Sequence, residues 1–150
     1  MFLFLFSNYS EHKKTNISTA ENTVVFATQL PKKINETSGL EYFNGHLITH
    51  NDSGDDALLY GFSKTGALLE TYVVEDAENH DWEDIAMDDR YLYISDSGNN
   101  FGNRKNLKII ITDPAVGFEK VGVINFSYAL QDDFNKRKTH PYDAEALMAV

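Results

Sequence analysis

The densest group of chemically capable side chains in this sequence is the run His80-Asp81-Trp82-Glu83-Asp84. It stands before a short apolar run, and Asp96 closes the apolar run that follows. Carboxylates that converge with backbone carbonyl oxygens form a hard-oxygen site that suits Ca²⁺ or Mg²⁺. The same crowding raises the pKa of one carboxyl group, which is a property of a general base. The run therefore predicts a divalent-cation site or an acid–base site, with Asp84 and Asp96 as the candidate bases.

A second acidic run, Asp143-Ala144-Glu145, lies further along the chain. Glu83 and Glu145 each stand two residues before an apolar residue, Ile85 and Leu147 respectively. If these runs open equivalent strands of repeated sheets arranged in a ring, both glutamates line one central channel and face each other across it. The sequence thus predicts a divalent cation, Ca²⁺ or Mg²⁺, with the ligands Glu83, Asp84, Asp143 and Glu145, and no organic cofactor.

The elements that must position these residues form a repeat. Residues 38–54 and 83–98 share one pattern, in which a turn and an alternating apolar run lead to Asp-Ser-Gly. A third copy opens at residues 143–148. The first two copies are 45 residues apart, which is near the ~40–50 residue period of a propeller blade. The third follows after 62 residues because a polar insertion at 131–140 lengthens the connection.

Short runs rich in β-branched and aromatic residues recur along the chain, separated by Gly, Asn, Asp and Ser. No stretch sustains a helical period, so we predict an all-β fold. We expect about two four-stranded blades plus the first strand of a third, as part of a six-bladed β-propeller that continues beyond this chain. The alternative fold is a self-contained β-sandwich. Residues 1–22 are predicted to be an export-signal remnant and a disordered linker, and residues 23–150 to be the blades.

The charge distribution restricts the partners. Residues 41–96 contain fourteen acidic residues and two basic ones, Lys64 and Arg90, so the net charge of −10 is concentrated in this block. Such a block repels phosphate backbones, which argues against a nucleic-acid partner. The chain has no cysteine, and this excludes disulfides and thiolate chemistry. No apolar run has the ~20 residues of a transmembrane helix. A solvated acidic face with no ligand is the alternative interpretation of the block.

The acidic residues also have structural interpretations. Asp52 and Asp96 each open an Asp-Ser-Gly triplet, where an aspartate commonly accepts hydrogen bonds from the amides of its own turn while glycine supplies a positive φ. Trp82, the single tryptophan, is expected in the core.

The segments 82–86 and 91–100, together with 51–54 and 143–147, resemble a group of secreted bacterial β-propeller proteins. Their blade pattern is similar to that of phytase-like and lactonase-like six-bladed propellers. The resemblance implies a Ca²⁺-binding channel that Glu83, Asp84 and Glu145 face, and a secreted, cell-surface or periplasmic location. The sequence lacks the basic phosphate clamp that a phytase requires.

Three functions remain open at this point. The first is an extracellular module that binds a small molecule or a protein, with a divalent cation in the acidic channel and the remaining blades of the same protein as neighbours. The second is a Ca²⁺-dependent hydrolase of phosphoesters or lactones. The third is a structural repeat with no site, since a fold alone does not determine a function.

Overall fold

The fold consists of two four-stranded antiparallel sheets. The computed structural model describes residues 27–150, so the predicted export signal and linker, residues 1–22, lie outside the described residues. The first sheet has the order β1-β2-β3-β4 and the second the order β5-β6-β7-β8. The strands are β1 (Thr37–Phe43), β2 (His46–Asn51), β3 (Leu58–Phe62), β4 (Leu68–Val73), β5 (Trp82–Met87), β6 (Leu92–Asp96), β7 (Lys108–Asp113) and β8 (Glu119–Asn125). The all-β prediction is confirmed, as is the prediction of two four-stranded sheets.

Tight turns make each sheet a simple meander. The hairpin between β1 and β2 turns on Asn44 and Gly45, whose φ angles are 48° and 88°. Two consecutive left-handed residues give the turn that matches the twist of paired strands, and Asn-Gly is the sequence that adopts it most readily. Asp113 caps a short 3₁₀ turn before β8 by accepting a hydrogen bond from the Ala115 amide. Successive strands therefore stay in one sheet.

The two sheets are copies in register as well as in order. Thr37 pairs with Asn51 in the first sheet, and Trp82 pairs with Asp96 in the second, so one spacing of 45 residues relates both partners. This spacing relates Asp52 to Ser97, which means that the two Asp-Ser-Gly triplets are offset by one residue. The strand register confirms the repeat, but the two Asp-Ser-Gly triplets do not occupy equivalent positions in its two copies.

The core lies between the two sheets. Ile48 and Leu59 of the first sheet pack with Trp82, Ile85 and other buried residues of the second, and these four are at most 3% exposed. Burying side chains of this size stabilises the native state by about 1.5–3 kcal/mol each. The expected core position of Trp82 is confirmed, and its indole N–H donates to the carbonyl of Glu78.

The predicted first strand of a third blade is not formed. Within residues 27–150 no strand follows Asn125, and the polar stretch 131–140 is irregular, as expected for an insertion. Residues 141–150 lie against the second sheet, but the amide of Leu147 donates to the side chain of Asp84 at 2.8 Å instead of to a strand carbonyl. A strand needs a backbone ladder, and this segment lacks one. No helix in the described part of the chain is long and apolar enough to cross a bilayer.

Candidate functional site

Five carboxylates meet where the two sheets and the 141–150 segment come together; we call them the acidic cluster. Ligand atoms of Asp52, Asp81 and Glu83 lie within 4.8 Å of one another, and so do those of Glu83, Asp143 and Glu145. Glu83 belongs to both groups and therefore stands at the centre. Asp52 follows β2, Asp81 and Glu83 lie at the start of β5, and the other two belong to the 141–150 segment. Three separate parts of the chain thus contribute to the cluster.

Backbone hydrogen bonds fix the first two of these parts. The Trp82 amide, between Asp81 and Glu83, donates to the carbonyl of Asp52 at 2.8 Å. The Gly98 amide donates to the carbonyl of Asp81 at 3.1 Å. The loop after β2 is therefore tied to the start of β5, and the loop after β6 closes over the same place. These carboxylates are held by main chain, which sets their separation before any ligand arrives.

The 141–150 segment is held mainly through side chains. The Asn99 amide donates to Oδ1 of Asp143 at 2.6 Å, and the Asn99 side chain donates to the carbonyl of Tyr142 at 2.7 Å. Ser97 donates from Oγ to the carbonyl of Ala144 at 3.0 Å. In the repeat, Ser97 corresponds to Asp52 and Ala144 corresponds to Trp82. The contact between Ser97 and Ala144 therefore matches the contact between Asp52 and Trp82, and the segment meets the second sheet at the place where β5 meets the first.

Gly98 lets the backbone approach the acidic cluster closely. A Cβ atom at this position would collide with Oε1 of Glu83 and with the carboxyl group of Asp81. The expectation that this glycine supplies a positive φ is wrong, because only Gly54 of the two triplet glycines has one, at 71°. Close approach of backbone to functional groups is the other common reason for glycine, and it applies here.

The electrostatics of the acidic cluster oppose full ionisation. Glu83 is 8% exposed, and burial raises its pKa to about 8, helped by the hydrogen-bonding carboxyl group and the charge of Glu145. Burial is the main cause, and the charge of Asp81 the second, that raises the pKa of Asp52 to about 6. Like charges in a desolvated place disfavour each other's ionised forms. The cluster therefore needs either protons or a cation near neutral pH.

Two acceptors in the acidic cluster lack donors. Oδ1 of Asp52 is buried and receives no hydrogen bond from the described residues. No N–H group or hydroxyl between residues 27 and 150 donates to the carboxylate of Glu83, whose polar neighbours are other acids. A buried carboxylate without a donor costs free energy, since it has given up its water. A cation is the partner that removes this cost for several carboxylates at once.

The structure brings together three of the four predicted ligands, Glu83, Asp143 and Glu145, as neighbours on one side and not as partners across a channel. Asp84 is not in the acidic cluster. Its carboxylate accepts from the amides of Ile85 at 2.9 Å and Leu147 at 2.8 Å, so it positions the 141–150 segment.

Asp96, the other candidate base, is fully buried among cations. Its carboxylate lies 2.8 Å from Arg104, 3.2 Å from Lys108 and 3.3 Å from His80. The expected turn-capping role of Asp96 is wrong, because within residues 27–150 its side chain accepts from Arg104 and from no turn amide. These contacts form a structural ion-pair network around Asp96.

Sequence reasoning included Asp81 in the candidate run but not among the ligands, and it favoured a turn cap over ligation for Asp52. Asp52 was interpreted as a turn cap, but none of the described amides donates to its side chain. The repeat contained the signal for Asp81, because the spacings of 45 and 62 residues place Glu36, Asp81 and Asp143 at one position. An acid that recurs at the same position of each copy of the repeat was the signal that placed Asp81 together with Asp143.

The acidic cluster consists of two groups of three carboxylates that share Glu83, and each group offers a divalent cation up to six carboxylate oxygens. Ca²⁺ takes six to eight oxygens in flexible geometry, whereas Mg²⁺ demands a near-octahedral shell and keeps several waters. The donor set therefore fits Ca²⁺ better. Comparison with protein-family models, curated protein sequences and solved structures gave no match.

Proposed function

We propose that this chain is part of a β-propeller that binds a ligand around a divalent cation, with Ca²⁺ held by the acidic cluster. One observation carries the proposal: Glu83 is 8% exposed, is surrounded by other carboxylates, and receives no hydrogen bond from a backbone amide, hydroxyl or basic side chain among the described residues. A cation neutralises this group and its neighbours together. Carboxylates that remain exposed, such as that of Glu145, keep one side of the cation open to a ligand.

The meander order of the sheets supports the propeller. In immunoglobulin-like sandwiches the Greek-key connections carry consecutive strands between the two sheets. Here all four strands of each sheet are consecutive. The first strands of the two sheets also contact each other, since Glu41 on β1 accepts from the amide of Met87 on β5 at 3.1 Å. Neighbouring first strands are the arrangement of blades around a propeller axis.

An open face on the second sheet supports further blades. Ile48, Leu59 and Tyr72 share the face of the first sheet that the second sheet covers. Their counterparts in the second sheet are Tyr93, Ile109 and Ile124, which form what we call the outer face. Ile48 and Leu59 are fully buried and Tyr72 is partly buried, whereas Tyr93 and Ile109 are only partly buried and Ile124 is 52% exposed. A further sheet of the same kind would bury the outer face as the second sheet buries its counterpart.

The beginning of such a sheet is in place. Leu147 lies beside the outer face, in a groove lined by Tyr93, Ile109 and Ile124. In the repeat it corresponds to Ile85, which packs against the matching face of the first sheet. These contacts support a third module that follows the pattern of the second.

Calorimetric titration of the full chain with CaCl₂ tests the cation site. We expect one site per chain that is lost in Glu83→Gln and retained in Glu75→Gln, because Glu75 is exposed and outside the acidic cluster. Absence of binding, or equal binding by both variants, would overturn the proposal. It would leave the structural repeat without a site as the better interpretation.

Hydrolysis of phosphoesters or lactones stays a prediction that no specific observation favours. Both candidate bases have other partners: Asp84 binds two backbone amides, and Asp96 is buried among cations. We also propose a secreted, cell-surface or periplasmic location on the basis of residues 1–22. Sequencing the N-terminus of protein recovered outside the cytoplasm tests it.

A further inference from the structure

We infer that the cation acts as a clasp, which holds the 141–150 segment on the outer face of the second sheet and, when it leaves, releases the segment. This inference rests on the proposed cation site. It adds that the site controls whether the outer face is covered.

The weak main-chain attachment of the segment is the first support. Its bonds to the second sheet use the side chains of Ser97, Asn99, Asp84 and Asp143, and no backbone ladder forms. Segments with few backbone hydrogen bonds open at low free-energy cost. The 141–150 segment is therefore the part of the site most easily displaced.

The charge that the segment carries is the second support. It places Asp143 and the exposed Glu145 against Glu83, which is 8% exposed and receives no hydrogen bond from a described backbone amide, hydroxyl or basic side chain. Without a cation, docking the segment brings these carboxylates together around the buried Glu83, and their repulsion favours release. With a cation, the same carboxylates become ligands to one ion and favour docking. The ion thus reverses the sign of the interaction that holds the segment.

The surface beneath the segment gives the clasp a consequence. Leu147 and Met148 lie along the groove that Tyr93, Ile109 and Ile124 line. Release would expose Leu147, Tyr93 and Ile109, which are partly buried, beside Ile124, which is already half exposed. Cation binding would thus govern how the next sheet, beginning at the segment, seats on the outer face.

Hydrogen exchange on the full chain, in CaCl₂ and in chelator, tests the clasp. The reporter amides are those of Asn99 and Leu147, which donate to Asp143 and Asp84 across the docked contact. At a hundredfold excess of Ca²⁺ over its dissociation constant we expect their exchange to slow by up to about 100-fold. Glu145→Gln removes repulsion without shortening the side chain, so these amides should be protected in chelator and respond little to CaCl₂. Glu75→Gln should behave as the unmodified chain.

Two contrary results are distinguishable. If Ca²⁺ binds and slows exchange at Trp82 and Gly98, within the first two parts of the site, but leaves Leu147 unchanged, the clasp is wrong and the cation site stands. If Ca²⁺ does not bind, the cation site fails and the clasp fails with it. Faster exchange of Leu147 in Glu145→Gln in chelator would also overturn the clasp, because it would show that the glutamate attracts and does not repel.

Discussion

Replacing Glu83 by glutamine should have opposite effects without and with Ca²⁺. Gln keeps the shape of the side chain and cannot ionise. In chelator at pH 7.5 the carboxylate of Glu83 must be protonated or buried as an anion, because its pKa is raised to about 8 by burial and by Glu145. Glu83→Gln removes that cost and should stabilise the fold. In CaCl₂ the same change removes the central ligand, so the stabilisation by Ca²⁺ should disappear.

The magnitude follows from the displaced pKa. At 1.36 kcal/mol per pKa unit, the difference between about 8 and the usual 4.5 corresponds to roughly 4 kcal/mol at pH 7.5, an upper value for the gain. A gain of about 2–4 kcal/mol raises the melting temperature of a chain of this size by roughly 5–15 °C. The raised pKa also determines the direction in which stability changes with pH. A raised carboxyl pKa makes the folded state bind the proton more tightly, so stability falls as pH rises from about 4.5 to 8 and then levels off.

Thermal unfolding of the unmodified chain, Glu83→Gln and the exposed control Glu75→Gln, each in chelator and in CaCl₂, is the assay. For the unmodified chain we expect Ca²⁺ at a hundredfold excess to contribute about 2.7 kcal/mol, and for Glu83→Gln close to none. The reasoning is refuted if Glu83→Gln destabilises the chain in chelator. That result would mean that the carboxylate has a stabilising partner in the absence of metal.

Three further predictions concern residues around the site. Gly98→Ala places a Cβ against Glu83 and Asp81, and should cost about 1–3 kcal/mol in urea unfolding and weaken Ca²⁺ binding; unchanged values would contradict the close approach. Asp96→Asn leaves Arg104 and Lys108 without their buried counter-charge and should cost about 3–5 kcal/mol in the same assay, whereas a loss below 1 kcal/mol would argue against the network. Burial lowers the pKa of His50 below 6.5, so the unfolded state alone gains a proton as pH falls and stability drops below pH 6.5. His50→Gln should therefore lose less stability than the unmodified chain between pH 6.5 and 5, and equal losses would contradict this.

The fold was predictable from local patterns because both of its determinants are local. Short apolar runs bounded by Asn-Gly and similar turns specify meanders, and a spacing of 45 residues specifies two copies. The alignment on Asp-Ser-Gly was offset by one residue, since register depends on backbone pairing that a motif does not report. The first strand of a third blade was expected from residues 143–148, but sequence cannot supply the ladder partner that a strand requires.

The candidate site was predictable in part. Glu83, Asp143 and Glu145 converge because recurring positions of a repeat converge in space. Asp84 lies outside the acidic cluster because adjacent residues of a strand point to opposite faces, so a carboxylate next to Glu83 makes a different contact. The surroundings of Asp96 could not be predicted because its partners Arg104 and Lys108 come from the following loop and strand. Asp52 was missed because its neighbours belong to the next sheet.

The central claim is that one Ca²⁺ binds carboxylates from three separate parts of this chain. A crystal structure of the full chain grown in CaCl₂, with anomalous data, measures this directly. We predict one anomalous peak about 2.3–2.6 Å from a carboxylate oxygen of Glu83, with further ligands from Asp52 or Asp81 and from Asp143 or Glu145. The account is contradicted if the acidic cluster holds no anomalous peak in crystals grown at saturating CaCl₂.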